Sequence, residues 1–362
     1  MIERPAVGSL TFMRADVSCG ARSCMACRMQ DAWSMHLLAH SQRSRPARRA
    51  VTRVGLMVLA GVALLWAAHR LSAGPALLAA VQRLGAAGVA TVLALQLVSF
   101  VADAATLRLC AGRPLLGRDA GIYLRACVVA QAVNTFTPLG QLGEAFKARA
   151  LSRRLSTEQS GGAVLRHNYL MMAGNCIAVA VGLGAGAAVL SISPAARTAC
   201  LVAATLFLAL AAGTIGVMIQ GVGAGTRRLM TNAGRLFPRL APACAALLRI
   251  ELASRPSSER PPRLVTGLAL TLGRRSLLVV EAVIILRALS RERPLLLGVL
   301  SQSSAQLIAW ATSFVPGQLG TAEGGGLLLF QALKLSAQLG LAFELVRRSR
   351  RTLVALLGLA WL

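Results

Sequence analysis

Two short stretches of the chain combine proline, glycine, glutamine and glutamate in nearly the same order. The first runs from Phe136 to Glu144 and the second from Phe314 to Glu323, and both contain the string Gly-Gln-Leu-Gly. Each stretch interrupts an apolar segment that is too long to be a loop. Paired Gly/Pro interruptions in two halves of a hydrophobic chain are typical of a transporter's substrate site, where helices break inside the bilayer.

A helix that begins inside a membrane presents free backbone N–H groups and the positive end of its dipole, which together favour phosphate or carboxylate. Pro138 and Pro316 would end the preceding helices, and the glycines permit a tight turn and close approach of a ligand. Gln141 and Gln318 can donate or accept hydrogen bonds. The predicted substrate path comprises Asn134, Pro138, Gly140, Gln141, Gly143, Glu144, Arg149, Pro316, Gly317, Gln318, Gly320, Glu323, Arg347 and Arg348.

The two glutamates of these breaks, Glu144 and Glu323, fall in the first turn of the next helix and allow two interpretations. Each can stabilise its own helix N-terminus, which is worth about 0.3–1 kcal/mol. Alternatively, each is a buried carboxylate on a transport path, for instance a proton carrier, because ionisable groups inside membranes face a cavity or a partner. Arg149 is the nearest cationic candidate beside Glu144, with a cytoplasmic flanking charge as its other interpretation.

The composition predicts a membrane protein. Of 362 residues, 56% are hydrophobic and only 14% are charged, and the mean hydropathy is +0.63. A soluble domain could not bury this much apolar surface, so we expect an all-α polytopic membrane protein. The net charge of +26 does not indicate a nucleic-acid partner, because the arginines flank apolar segments. Basic residues in such positions mark cytoplasmic loops and attract anionic lipids, the partners we expect.

The chain divides into a basic extension at residues 1–50 and a membrane domain at 51–362. The extension is a disordered tail or translation upstream of the true start. Arginines between Arg43 and Arg53 precede the first apolar run. They place the N-terminus on the cytoplasmic side of a bacterial inner membrane. Residues 222–263 are predicted to form a basic cytoplasmic loop. The predicted full spans are about 54–68, 85–107, 168–190, 199–221 and 264–289.

The first interrupted segment is predicted to be a re-entrant hairpin. Its apolar run extends from about Ala120 to Phe136, and both flanks, at Arg118 and Lys147, favour the cytoplasm. The intervening roughly 27 residues are too few for two crossings, since one takes about 20. A helix–break–helix that enters and leaves on one side fits instead, provided that protein or water surrounds the break.

The second interrupted segment is predicted to be a matching hairpin that enters from the opposite side. Its two apolar parts lie at about 295–314 and 327–345. The two hairpins then belong to an inverted repeat, with repeat one at about 85–190 and repeat two at about 264–362.

Arginines near the C-terminus conflict with this topology. Counting crossings from the N-terminus places residues 347–351 outside, whereas their charge favours the cytoplasm. Either the count of spans is wrong by one, or these arginines face an anionic ligand. The apolar run that follows is too short to span unless its helix begins before them.

One further predicted span contains charges within its limits. Arg274, Arg275 and Glu281 fall inside the segment at 264–289. We expect the true span to begin near Ser276, which would leave the two arginines outside the apolar layer.

Metal and cofactor chemistry finds no support in the sequence, and we expect no cofactor, no metal site and no enzymatic reaction. Cys19, Cys24 and Cys27 have an iron–sulfur-like spacing but lack a fourth ligand nearby. We expect Asp103 to be satisfied locally and His167 to be satisfied at a helix interface. The four histidines do not cluster, and no nucleophile–base arrangement is evident.

Both breaks resemble the transmembrane flippase-like family typified by the membrane part of lysylphosphatidylglycerol synthase, and the second break is also similar to a hopanoid-associated branch. The resemblance covers roughly 53–362, and its second block is the more specific. The matching residues are Asn134–Pro138, Gly143–Ala145 and Arg149, then Phe314–Gly320, Glu323–Gly325 and Leu345–Arg348.

The resemblance implies a membrane domain that translocates lipids through two re-entrant hairpins. Synthase members add a soluble domain that transfers an amino acid from a charged tRNA. We expect a stand-alone membrane domain without that reaction, whose partners are lipids and also a second copy of the chain or an enzyme of the lipid pathway. Two alternatives remain open: a non-catalytic accessory protein of a lipid-modifying enzyme, and a proton-coupled small-solute transporter.

Overall fold

The predicted all-α class is confirmed by the computed structural model. It describes residues 74–115, 117–137, 142–190, 192–220, 231–232, 248–252, 261–289, 293–315, 318 and 320–361. These residues are almost entirely helical, and no strand occurs among them. The extension at 1–50, the predicted span at 54–68 and most of the basic loop at 222–263 lie outside the described residues.

The described helices fall into two groups of four with one helix between them. They are α1 Gly74–Cys110, α2 Ala120–Phe136, α3 Leu142–Leu151, α4 Thr157–Val189, α5 Pro194–Gln220, α6 Pro261–Leu289, α7 Pro294–Ala311, α8 Thr321–Ala332 and α9 Ala337–Ala360. In each group a long helix is followed by one of 17 or 18 residues, a short one of 10 or 12, and a second long one. The two predicted halves therefore share one order of helix lengths.

Among the described residues, three helices are long and apolar enough to cross a membrane: α1 from Leu78 onward, α4 and α5. They coincide with the predicted spans at about 85–107, 168–190 and 199–221. The helix predicted at 264–289 is present as α6, but its internal charges keep it outside this group. Large apolar side chains such as Leu97 and Leu206 are exposed, as expected for a surface that faces lipid.

The predicted continuous segment at 327–345 is wrong, because a turn divides it into α8 and α9. Lys334 adopts a left-handed backbone conformation (φ 59°). The backbone N–H of Leu335 donates to the carbonyl of Phe330 (2.8 Å), and that of Lys334 donates to the carbonyl of Gln331 (2.9 Å). This Schellman arrangement satisfies the last carbonyls of α8 and ends the helix. Helix α9 then begins well before the arginines at 347–351.

Close contact between α4 and α7 depends on one glycine in particular. A Cβ atom at Gly182 would collide with the side chain of Ser303, whose hydroxyl donates to the carbonyl of Ala178 (2.9 Å). At Gly184, two residues along the same helix, a Cβ atom would meet nothing within 4 Å. Small residues let helix backbones approach closely in lipid, where packing drives association.

We predict that Gly182→Ala destabilises the protein by about 1–3 kcal/mol, the usual cost of overpacking a fitted interface. Gly184→Ala is the matched control, and it should be neutral or slightly stabilising because alanine favours helix over glycine. The free energy of unfolding in mixed detergent micelles measures both effects. Equal stability of the two variants would show that α4 and α7 do not pack in this way.

An arginine-lined cavity as the candidate functional site

The arginines near the C-terminus lie in the middle of α9, not in a loop. This helix packs against α1, α2, α6 and α8, and thus touches both groups of helices. Arg347 and Arg350 are only 6% and 9% exposed. The structure therefore places these arginines inside the helix bundle.

Glu344, one turn before the arginines on α9, holds two of them. Its carboxylate accepts from Arg347 Nη1 at 2.6 Å and lies 3.5 Å from Arg351 Nη2. Arg347 also donates to the side-chain oxygen of Gln302 on α7 (3.1 Å), and its guanidinium lies over the ring of Phe343. Hydrogen bonds and packing from two helices thus fix the orientation of Arg347.

Two further carboxylates from other helices pair with α9. Glu281 on α6 accepts from Arg350 Nη1 at 2.7 Å, and Gln96 on α1 accepts from the same nitrogen. Glu323, in the first turn of α8, pairs with Arg348. A charge removed from water costs several kcal/mol unless a partner and hydrogen bonds compensate, so these pairs fix α6 and α8 relative to α9.

A cavity of about 230 Å³ opens beside these ion pairs. Guanidinium groups from α6 and α9 dominate its wall. The arginines that line it are Arg274, Arg275, Arg347, Arg350 and Arg351. None of the described residues that line it is an aspartate or glutamate. Arg274 and Arg275, which we expected to lie outside the apolar layer, therefore belong to this wall. Helix α6 begins at Pro261, well before Ser276, where we expected the membrane span to start.

Positive charge exceeds negative charge around the cavity. Five guanidinium groups line the cavity, and three carboxylates pair with four of them. These carboxylates are Glu281, Glu344 and Asp103, which lies 4.0 Å from Arg274. Arg275 has no hydrogen bond or ion pair with any described residue, and its Nε atom is buried. Two positive charges are thus left without a counter-charge in the described part of the chain, which favours an anionic ligand.

Asn134 and Gly143 close the first break, although Pro138, Gly140 and Gln141 lie outside the described residues. The side-chain oxygen of Asn134 accepts from the backbone N–H of Gly143 at 2.7 Å and caps α3. Glu144 accepts from Lys147 Nζ at 3.1 Å and from Asn134 at 3.4 Å. Arg149, the cation predicted beside Glu144, is exposed instead. The cation that pairs with Glu144 is Lys147, one turn after the glutamate.

The second break reaches the cavity directly. Gln318 has a left-handed backbone conformation (φ 51°) and lines the wall, whereas Pro316 and Gly317 lie outside the described residues. The backbone N–H of Gly320 donates to Glu323 Oε2 at 3.0 Å. Glu323 therefore stabilises its own helix N-terminus and pairs with Arg348 as well. These contacts agree with the helix-stabilising interpretation of this glutamate, and its carboxylate is buried as well.

Asp103 and His167 form a buried pair, with Oδ1 and Nε2 3.1 Å apart. Asp103 thus has a partner on another helix, whereas only one ring nitrogen of His167 is paired and its Nδ1 is buried without a hydrogen bond to a described residue. Within the described residues, no three His, Cys, Asp or Glu side chains are grouped so that they could hold a metal ion.

Sequence reasoning missed most of the cavity wall. Glu344 and Gln302 hold its arginines but were not singled out, and Glu281 was named only as a charge inside a predicted span. The signal available was the helical spacing of charges on α9, where residues 344, 347, 348 and 351 share one face. Of the two predicted arginines, Arg347 lines the cavity and Arg348 does not, whereas Arg350 and Arg351 line it without having been predicted as site residues.

We predict that Glu281→Gln destabilises the protein by about 3–5 kcal/mol, because it leaves Arg350 buried without its carboxylate. Glu158→Gln is the control: it removes an exposed carboxylate in the first turn of α4 and should cost at most about 0.3–1 kcal/mol. Unfolding in mixed micelles compares them. Similar losses for both variants would contradict a buried ion pair at Arg350.

Comparison with known proteins agrees with the resemblance at the breaks. Residues 50–358 match the sequence profile of the family described as "Lysylphosphatidylglycerol synthase TM region". No curated protein and no solved structure gives a significant match. The matched region contains the arginines of α9 and both breaks. The chain is therefore a membrane protein that belongs to the lysylphosphatidylglycerol synthase transmembrane family.

Proposed function

We propose that this protein translocates a lipid with an anionic or polar head group across the bacterial inner membrane and catalyses no chemical reaction. The observation that carries the proposal is the arginine-lined cavity enclosed by helices whose outer surfaces are apolar. A charged head group cannot enter hydrocarbon without losing its hydration, at a cost of several kcal/mol or more. The cavity replaces that hydration with fixed guanidinium groups.

The arginine side chain suits this task. Its planar guanidinium binds phosphate through two parallel hydrogen bonds, and it keeps its charge when it is buried. Arg275, on α6, has no partner among the described residues, while Arg347 and Arg350, on α9, are held by glutamates. A phosphate between α6 and α9 would neutralise the excess charge without breaking the ion pairs that hold the helices.

The proposed architecture has two re-entrant hairpins, α2–α3 and α7–α8, in repeats of opposite orientation, with a cytoplasmic N-terminus. The shared order of helix lengths in the two groups supports a repeat. The capped start of α3 and the break before α8 support helices that begin at the hairpin tips. Gln131 on α2 and Gln318 before α8 both line the cavity, so each hairpin contributes to it.

The two alternative functions receive less support. A proton-coupled solute transporter would use Glu144 and Glu323 as proton carriers, but both carboxylates are engaged with cations and hydrogen-bond donors. A purely accessory protein would have no need for a cavity with excess positive charge.

The experiment is a lipid translocation assay with the purified full chain in liposomes. Fluorescent phosphatidylglycerol is incorporated into both leaflets, and a membrane-impermeant reductant reports how fast inner-leaflet lipid becomes accessible. We predict that the protein accelerates this exchange and that Arg275→Gln slows it at least tenfold. Loss of a charged hydrogen bond worth about 1.5–3 kcal/mol implies that factor.

Arg153→Gln serves as the control, because Arg153 is an exposed arginine in the turn after α3. It should exchange lipid at the rate of the unmodified protein. An unmodified protein that leaves exchange at the rate of empty liposomes would contradict the proposal, as would equal rates for the two variants.

A further inference from the structure

Glutamines are the second kind of polar residue on the cavity wall. They come from α1, α2, α7 and the break before α8, so they surround the space between the arginines. The glutamines that line the cavity are Gln96, Gln131, Gln302, Gln306 and Gln318.

Only some of these glutamine side chains form hydrogen bonds within the described part of the protein. Gln302 donates to the carbonyl of Leu278 (2.8 Å) and accepts from Arg347, and Gln96 accepts from Arg350. The side chains of Gln131, Gln306 and Gln318 make no hydrogen bond to a described residue. A primary amide both donates and accepts, which is what a hydroxyl group needs from its surroundings.

The wall lacks the groups that would hold an ammonium. Carboxylates pair with ammonium groups, and aromatic faces attract quaternary ones. None of the described lining residues is acidic or aromatic, and Glu281 and Glu344 are already engaged by arginines. An ammonium would therefore meet five guanidinium groups of its own sign.

We infer that the cavity selects a polyol phosphate head group, anionic and rich in hydroxyls, and rejects head groups that carry an ammonium. The arginines would bind the phosphate and the free glutamine amides would bind the hydroxyls. A volume of about 230 Å³ admits a head group but not a whole lipid, which leaves the acyl chains outside. This inference rests on the proposed function, because it names the cargo class of the same cavity.

The first experiment measures binding and not transport. The purified full chain in detergent is titrated with dioctanoyl phosphatidylglycerol, phosphatidic acid and phosphatidylethanolamine, which have the same acyl chains and different head groups. We expect phosphatidylglycerol to bind most tightly, phosphatidic acid less tightly because it lacks the glycerol hydroxyls, and phosphatidylethanolamine at least tenfold more weakly than phosphatidylglycerol. Binding of phosphatidylethanolamine as tight as that of phosphatidylglycerol would overturn the inference, and so would tighter binding of phosphatidic acid.

A charge placed on the wall tests the cause of the preference. Gln306→Glu adds a carboxylate at a lining position whose side chain has no partner among the described residues. It should lower the affinity for phosphatidylglycerol and raise that for phosphatidylethanolamine, so that the ratio of the first affinity to the second falls at least tenfold. Gln338→Glu adds the same charge at an exposed position on α9 and should leave the ratio unchanged. An unchanged ratio in Gln306→Glu would contradict recognition by this wall.

Glycerol 3-phosphate, titrated in the same way, separates a lipid cargo from a soluble one. Binding as tight as that of phosphatidylglycerol supports the polyol phosphate inference and contradicts lipid as the cargo. Weaker binding of glycerol 3-phosphate supports both the polyol phosphate inference and lipid as the cargo. Conversely, if the liposome assay shows translocation but all three lipids bind equally, the head-group inference fails and the proposed function stands.

Discussion

The structure depends on the requirement that each arginine buried in α9 has a compensating partner. A guanidinium group inside an apolar bundle is tolerated only when carboxylates and hydrogen bonds replace water. Glu281 and Glu323 reach α9 from two other helices, and Glu344 lies on α9 itself. These pairs determine how α6, α8 and α9 fit together. Apolar side chains, such as those of Phe330 and Phe343, then pack between helices whose relative positions are already limited by the ion pairs.

Around the cavity, the carboxylates do not balance all of the arginine charges, and this excess of positive charge is the basis of the function that we propose. Glu281 and Glu344 do not line the cavity, whereas the arginines with which they pair do. Arg275 contributes a charge without a described partner. A site with rigid cations and excess positive charge is organised before its ligand arrives, which reduces the cost of ordering it. Glutamines from both groups of helices line the same cavity.

The local features of the fold could be predicted from the sequence, whereas the partners in the site could not. The limits of α2 and the positions of Glu144 and Glu323 in first turns follow from proline, glycine and hydrophobic periodicity, which act over a few residues. The division at Lys334 was missed because a lysine, and not glycine, adopts the left-handed position that ends α8. Glu281 pairs with Arg350 across 69 residues, and a single sequence contains no signal that joins them. Arg274 and Arg275 were excluded because isolated charges in an apolar segment were taken as its edge, although a polar cavity accommodates them.

The central claim is that an anionic head group occupies the cavity between α6 and α9. A cryo-EM structure of the protein in nanodiscs that contain phosphatidylglycerol tests it most directly. The account predicts density for a phosphate within ion-pair distance of Arg275 and Arg347, with acyl chains leaving the bundle toward the lipid. Ordered lipid confined to the outer surface, with Arg275 turned away from an empty cavity, would contradict it.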